Sequence, residues 1–350
     1  MKLFQKFPGC GAEPRELKKR RIIMKKIGIL GAAGMVGSTM LKVLEERDLA
    51  ISELFLFDVG AAVGKTVTFK GKTVTIEESK EDIFDRGIDI CLFAVDTPIS
   101  QKYAPIAAAK GCVVVDNSSA WRMEDDVPLV VPEVNGDDIF ANKGIISSPN
   151  CSTIQACVAI APLHRAFGIK RLIYSTYQSV SGAGMAGIAD LTRTVKGDAP
   201  QCFPYPIGGN VIPRIDVVGD DGYTGEETKM IEETRKILHS PDMKITATTV
   251  RVPVEIGHSE SINLTFEKSF ELDEVREILK NAPGIILNDD PKNEGYPTPR
   301  EIAGTDEVYV GRIRRDMSAE NSLNIWVVAD NVRKGAATNA VQIAQKLSNA

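Results

Sequence analysis

A chain of 350 residues with 43% apolar and 25% charged residues has the balance of a soluble globular protein and the length for two cores, which excludes a disordered or fibrous one. A formal net charge of −5, with no basic block in the part that reads as folded, speaks against nucleic acid as the main partner. No apolar run nears the ~20 residues of a membrane helix, and six scattered cysteines without a CxxC pair fit a reducing, cytoplasmic setting rather than a disulfide framework.

Residues 1–23 hold the charge run ELKKRR and no apolar stretch of signal-peptide length. They read as a disordered extension, or an over-called start before the opening MKKIGILG at Met24. KKIGILG is the first predicted strand, followed by a helix from Met35 to about Arg47. LFLFD (54–58), DICLFAVD (89–96) and CVVVD (112–116) are further strands, with a helix-like YAPIAAAK between the last two. Cys91 and Cys112 sit in those apolar runs as small buried hydrophobes. Strand and helix alternating in this way predict α/β architecture, a Rossmann-like parallel sheet with helices on both faces. Residues 66–78 alternate with period two around Lys70-Gly71, which predicts an inserted hairpin.

The texture changes after Asn150. A helix from Ser152 to about Phe167 leads into the long strand RLIYSTYQSV, a Gly-rich turn, and a Pro/Gly-rich loop from Ala199 to Gly222. The helix TGEETKMIEETRKIL and the strands KITATTVRVPV, SINLTFEKS and SLNIWVVAD follow. Long strands with few helices between them predict a mixed or antiparallel sheet in a second, α+β domain. The amphipathic tail RKGAATNAVQIAQKL is expected to pack back on the first domain. The expected division is a dinucleotide-binding domain over 24–150, completed by 331–350, and a second domain over 151–330.

Gly31, Gly34 and Gly37, in GAAGMVG, stand where the first strand turns into the first helix. Glycines there let backbone N–H groups at a helix start approach a pyrophosphate, although the spacing GxxGxxG departs from the usual GxGxxG. Ala33, Met35 and Val36 share that turn and are expected to line the cofactor. Asp58 ends the second strand, where a carboxylate would accept the ribose hydroxyls of NAD and repel the 2′-phosphate of NADP; it also reads as a plain turn residue. Cys151 in SPNCST sits at a helix start, where the backbone dipole should lower its pKa and make a thiolate nucleophile. Of three histidines, His164 and His239 read as structural or exposed, and His258 is the candidate base. Arg251 and His258 are an odd number apart, so one strand would face them oppositely unless Pro253 and Gly257 bend it. Glu226 and Lys229 share a helix face, as a solvated ion pair or as substrate ligands. Arg122 follows the strand CVVVD on the side where ligands bind parallel sheets, to clamp an oxyanion or cap a loop.

The motifs GAAGMVG, VVVDNSSAWRM, VPLVVPEVN, SSPNCSTIQ, STYQSVSGAGM, NVIPRID, EETKMIEETRKIL, RVPVEIGHSES and ADNVRKGAA, in this order, resemble the aspartate-semialdehyde dehydrogenase family from Met24 to the C-terminus. The resemblance implies a C-terminal catalytic and dimerisation domain of glyceraldehyde-3-phosphate dehydrogenase-like type and a homodimer. It implies reduction of aspartyl phosphate to aspartate semialdehyde with release of phosphate, on the route to lysine, threonine and methionine, with no metal. It makes Cys151 the acyl-enzyme nucleophile and His258 the acid/base, with Gln178 positioning Cys151 or the acyl carbonyl. Arg251 would bind the substrate α-carboxylate and Glu226 its amino group, with Arg122, Lys229 and Asn150 around the phosphate. Ser181, Gly182 and Asn331 would contact the nicotinamide half. Members that use NADP carry a Ser-Arg-type segment after the second strand; here it is Asp58-Val-Gly-Ala61-Ala62, with Ala61 at the place of the arginine, so NAD and NADP both stay open. A related reductase, such as N-acetyl-glutamyl-phosphate reductase, is disfavoured by RVPVEIGHSE, PNCST and YQSVSGAG. A non-catalytic dinucleotide sensor is disfavoured by the presence of Cys151, Gln178, Arg251 and His258.

Overall fold

The computed structural model describes residues 24–47 and 49–349, so the expectation for residues 1–23 lies outside the described residues. The first sheet takes, in chain order, β1 (Lys25–Leu30), α1 (Met35–Glu46), β2 (Ile51–Asp58), β3 (Thr66–Phe69), β4 (Lys72–Glu78), β5 (Ile90–Phe93), α2 (Thr97–Ala109), β6 (Val113–Asp116), α3 (Pro132–Asn135) and β7 (Ile145–Ser147). The second takes α4 (Cys151–Phe167), β8 (Ile169–Gln178), α5 (Gly184–Val195), α6 (Gly225–Ile237), β9 (Lys244–Arg251), β10 (His258–Phe266), α7 (Leu272–Lys280), β11 (Ile285–Leu287), α8 (Pro299–Ile302), β12 (Val308–Arg315) and β13 (Ser322–Ala329). A π-turn, Arg333–Ala337, and α9 (Thr338–Ser348) close the chain.

The seven strands of the first sheet lie in the order β3-β4-β2-β1-β5-β6-β7, all parallel except β3, which forms the expected hairpin with β4 about Lys70-Gly71. β1 is apolar on both sides of its pleat, so it can be covered twice. Ile27 and Ile29 face α1 and α9, whose Met40, Val43, Ala340 and Ala344 bury with them. Leu30 turns the other way, to Phe84 and Ala104. The chain order reverses at β1, and ligands of open α/β sheets bind in the crevice that such a reversal opens.

The second sheet runs β11-β12-β13-β10-β8-β9 and is mixed, with β8–β9 and β11–β12 parallel and the other pairs antiparallel. α4 is buried around nearly its whole girth, so its first residue is fixed by a packed core. The register corrects one expectation. Arg251 and His258 do not share a bent strand: Arg251 ends β9, His258 starts β10, and β8 runs between them. Gln178 pairs with Arg251 while Tyr177 pairs with Ser259, so three strand ends meet at one place. Gly257 (φ +97°) turns the connecting loop, and a Cβ there would lie 2.8 Å from Cβ of Pro299.

Candidate active site

The turn after β1 is built by absence of side chains. Gly31 has φ +86°, and a Cβ on it would lie 2.3 Å from the Ala94 carbonyl oxygen. A Cβ on Gly37 would lie 2.1 Å from the Gly31 carbonyl oxygen. Gly34 is the N-cap of α1 and brings no side chain to the first-turn N–H groups. Asp58 holds this turn from below: one carboxylate oxygen accepts from Ala33 N–H at 2.7 Å and the other from Val59 N–H at 2.8 Å. Ala61 and Ala62 lie in a short 3₁₀ turn, Gly60–Ala62, just beyond. A cavity of about 540 Å³ runs from Val36 past Ala94–Thr97 and Asn117–Ser119 to Cys151, and its far wall is Gln178, Gly182, Arg251 and His258. A bare turn at a helix start, opening onto a cleft, fits a dinucleotide pyrophosphate.

Cys151 is the first residue of α4. Asn150 caps the helix through Oδ1, which accepts from Ser152 N–H (3.0 Å) and Thr153 N–H (3.3 Å). The π-turn lies directly against the cysteine, since a Cβ on Gly335 would be 3.0 Å from Cβ of Cys151. The expected lowering of the thiol pKa is not what this setting gives. Burial, with the Glu226 carboxylate adding to it, pushes Cys151 up to about 12, against the pull of Arg251, Arg122 and the Ser152 N–H. The helix start is one small favourable contribution among larger opposing ones. Gln178 donates from Nε2 to Ser152 Oγ (2.5 Å) and to Glu226 Oε1 (2.9 Å), so it ties the residue after Cys151 to the acidic side chain that perturbs it.

His258 is fully buried. Its Nδ1 accepts from the backbone N–H of Ser179 at 3.0 Å, which places the proton of the neutral ring on Nε2. Nε2 has no partner among the described residues. Burial and the nearby Arg251 charge hold its pKa well below the histidine range. Ser179 Oγ also lies 3.0 Å from Nδ1 and donates to Asn331 Oδ1 at 3.0 Å; Asn331 Oδ1 further accepts from Ser181 Oγ and from Gly257 N–H. Asn331 and Ser181 thus anchor the histidine loop. Arg251 donates to the Ser179 carbonyl at 2.7 Å, and its Nε is buried and unpartnered among the described residues. Gly182 leaves it room, for a Cβ there would sit 2.6 Å from Nη1.

The remaining candidates converge from α6 and the loop after β6. Glu226 is buried at 6% exposure and accepts from Asn150 Nδ2 at 2.8 Å, so the solvated-pair reading gives way to a cavity-lining one. Lys229 Nζ lies 3.4 Å from Glu226 and 2.7 Å from Asp216. Arg122 is paired with buried Glu233 at 2.9 Å and donates to the Asn117 carbonyl at 2.8 Å, while its Nε is unpartnered among the described residues. His164 bonds Ile169 N–H and Ser240 outside the cavity, and His239 is exposed beside Asp138. Sequence reasoning missed Ser179, Glu233 and Asp216. Glu233 had a signal, since it lies seven residues after Glu226 on one helix face; Asp216 had only its place in NVIPRID.

Residues 26–142 match the family described as "Semialdehyde dehydrogenase, NAD binding domain", and residues 160–334 match "Semialdehyde dehydrogenase, dimerisation domain". The aspartate-semialdehyde dehydrogenase of Aquifex aeolicus is 53% identical over 331 residues, covering 92% of this chain and 97% of that one. That of Bacillus subtilis is 43% identical over 338 residues, covering 92% and 96%. Among solved structures, aspartate semialdehyde dehydrogenase II complexed with ASA from Vibrio cholerae superposes with a TM-score of 0.89 at 45% identity, over 93% of this chain and 98% of that one. An aspartate semialdehyde dehydrogenase with NADP from Candida albicans gives 0.73 at 26% identity, over 93% and 98%.

Proposed function

The chain belongs to the aspartate-semialdehyde dehydrogenase family, and on that premise we propose that Cys151 carries a thioester in the NAD(P)H-dependent conversion of L-aspartyl 4-phosphate to L-aspartate 4-semialdehyde. The observation that carries the reading is the meeting of the Cys151 thiol with buried His258 and Arg251, whose unpartnered N–H donors belong to residues of one cavity. The Cys151 sulfur attacks the acyl carbon as its proton passes to Nε2 of His258, and the C–O bond to phosphate breaks, which leaves the thioester and free phosphate. A nicotinamide held at this cavity would supply the hydride that reduces the thioester. His258 presents Nε2–H to the oxygen that gains charge, and the C–S bond then breaks to free the aldehyde. Taking the thiol proton needs the other tautomer, in which Nδ1–H is donated to Ser179 Oγ and the contact of Nδ1 with the Ser179 backbone N–H is given up. Arg251 offers a guanidinium with an open Nε to the α-carboxylate, Glu226 takes the amino group, and Arg122 and Lys229, with Asn150 beside them, face the phosphate.

For the cofactor, the segment after β2 supports NAD alongside NADP. Asp58 would offer a carboxylate to the ribose, and residues 59–65, VGAAVGK, hold no arginine to grip a 2′-phosphate, with Lys65 as the one cation in that segment. The outer face of the second sheet carries Tyr177 and Trp326 with ring centroids 5.5 Å apart, opposite the helix-covered face, and is the surface we assign to a homodimer. Among the described residues no helix is long and apolar enough to cross a membrane.

The test is phosphate-dependent reduction of NAD and of NADP by aspartate semialdehyde, run side by side. Turnover that requires phosphate is expected with both. No turnover in folded, reduced protein removes the assignment, and turnover with NADP alone removes the role given to Asp58.

A further inference from the structure

The motif NVIPRID has no part in the reaction described above, yet it delivers a carboxylate into the same cavity. Both flanks of the segment are pinned by backbone pairing: Ile212 exchanges N–H···O bonds with Arg251 (2.9 Å each), and Val218 bridges to Thr224. Between them Asp216 adopts φ +74°, a left-handed conformation that costs a residue with a side chain. Its Oδ1 accepts from Val217 N–H at 2.9 Å, and its Oδ2 lies 2.7 Å from Lys229 Nζ. The carboxylate rests over the first turn of α6, where a Cβ on Gly225 would meet Oδ2 at 2.7 Å.

The cations around this point are already taken. Lys229 faces both Asp216 and Glu226, Arg122 is matched by Glu233, and Arg251 on the same cavity also feels the Glu226 charge, so three cations meet three carboxylates. Phosphate brought beside Lys229 would meet an ammonium whose charge is already shared between two carboxylates in a partly desolvated site. Glu226 and Glu233 are buried on a helix and tied to Gln178, Asn150 and Arg122. Asp216 lies on an irregular segment with its side chain 39% exposed, and is the one of the three free to leave. We propose that Asp216 is a specificity-determining residue for the phosphate: its carboxylate occupies Lys229 in competition with the phosphate group and gives it up when phosphate binds. The inference rests on Lys229 facing the phosphate. Release of the left-handed backbone at Asp216 offsets part of the cost of breaking the ion pair.

The experiment is steady-state kinetics of the full chain in the phosphate-consuming direction, with separate KM values for phosphate and for aspartate semialdehyde. Asp216→Asn keeps the acceptor for Val217 N–H and tolerates the left-handed backbone; Asp216→Gly keeps the backbone without the side chain. Both are expected to lower the KM for phosphate about fivefold, as removal of one neighbouring like charge should, and to move the KM for semialdehyde less than twofold. A phosphate KM that is unchanged or raised in both variants overturns the competition. Lys229→Met is expected to raise the phosphate KM about tenfold and to cancel the gain from Asp216→Asn in the double variant. A gain that persists without Lys229 also overturns the proposal, since it shows through-space repulsion rather than competition. If Lys229→Met leaves the phosphate KM untouched, it is the placing of phosphate at Lys229 that fails, and the competition with it.

Discussion

The two ends of the cavity are built on opposite plans. At the β1–α1 turn the chain works by omission: Gly31 and Gly37 are where they are because a single Cβ would strike a carbonyl, and Asp58 fastens the turn through backbone N–H groups. At the Cys151 end the chain works by crowding. Side chains from the start of α4, three strand ends, α6 and the loop after β6 share buried charge and hydrogen bonds. The first plan tolerates any side chain that stays out of the way. The second fixes each group through its neighbours, so its pKa values and donor directions belong to the cluster. The turn can be recognised from glycines at a strand–helix junction, and the cluster needs the topology.

Substitutions at the two ends should differ in size and in what they change. Cys151→Ser removes the group to which we assign the acyl bond, and turnover should fall by about four orders of magnitude or more, with cofactor affinity by fluorescence titration unchanged. Residual activity within a hundredfold of the parent would take the nucleophile's role from Cys151. At the other end, Gly37→Ala should raise the KM for cofactor by about a hundredfold, because the turn must shift by roughly an ångström to admit the methyl group, while alkylation of Cys151 by iodoacetamide stays near the parent rate. An unchanged cofactor KM would mean that the turn does not seat the pyrophosphate. Arg251→Lys comes next. A point charge cannot replace the fork at a site where, among the described residues, one guanidinium nitrogen is engaged by the Ser179 carbonyl and Nε is left open, so the KM for aspartate semialdehyde should rise about tenfold with a smaller change in kcat. An unaltered KM would move the carboxylate site elsewhere.

How much of this was legible in the sequence follows the same division. The parallel sheet, the β3–β4 hairpin, the mixed second sheet and the packing of α9 on the first were readable because periodicity and turn residues are local signals. Cys151 and the glycine turn were readable because each sits at a strand–helix junction. Arg251 and His258 were found as residues, but their geometry was misjudged, since nothing local says that β8 enters between two strands separated by one short loop. The thiol pKa was misjudged for a related reason. Position in α4 is a sequence property, whereas burial and the approach of Glu226 from α6 are tertiary. Ser179 was invisible because it acts through His258, and Glu233, although it shares a helix face with Glu226, acts only through Arg122.

The smallest expected effect concerns a group that the crowded end buries without using. Glu260 lies two residues along β10 from His258, on the same inward face, and pairs across the sheet with Thr176. It is fully buried, and its one polar side-chain neighbour of note is Gln155, whose contact falls short of hydrogen-bond geometry; the Thr176 hydroxyl is unpartnered among the described residues. Burial raises its pKa well above the carboxylate range against the pull of Gln155, and the Glu226 charge adds to the shift. A raised folded-state pKa means that the folded chain holds a proton which the unfolded chain releases above about pH 4.3. The stability associated with the neutral carboxyl is therefore complete below that value and falls as pH rises toward the folded pKa, with a slope of about 1.4 kcal/mol per pH unit. Glu260→Gln keeps the shape and cannot ionise. Its melting temperature relative to the parent should climb from pH 5 to pH 9, with kcat at pH 7 within about twofold, since changes away from reacting groups act mainly on stability. A melting difference that stays constant over that range would show that Glu260 is ionised in the folded chain, and the crowded end would then contain a stable buried carboxylate that its neighbours do not explain.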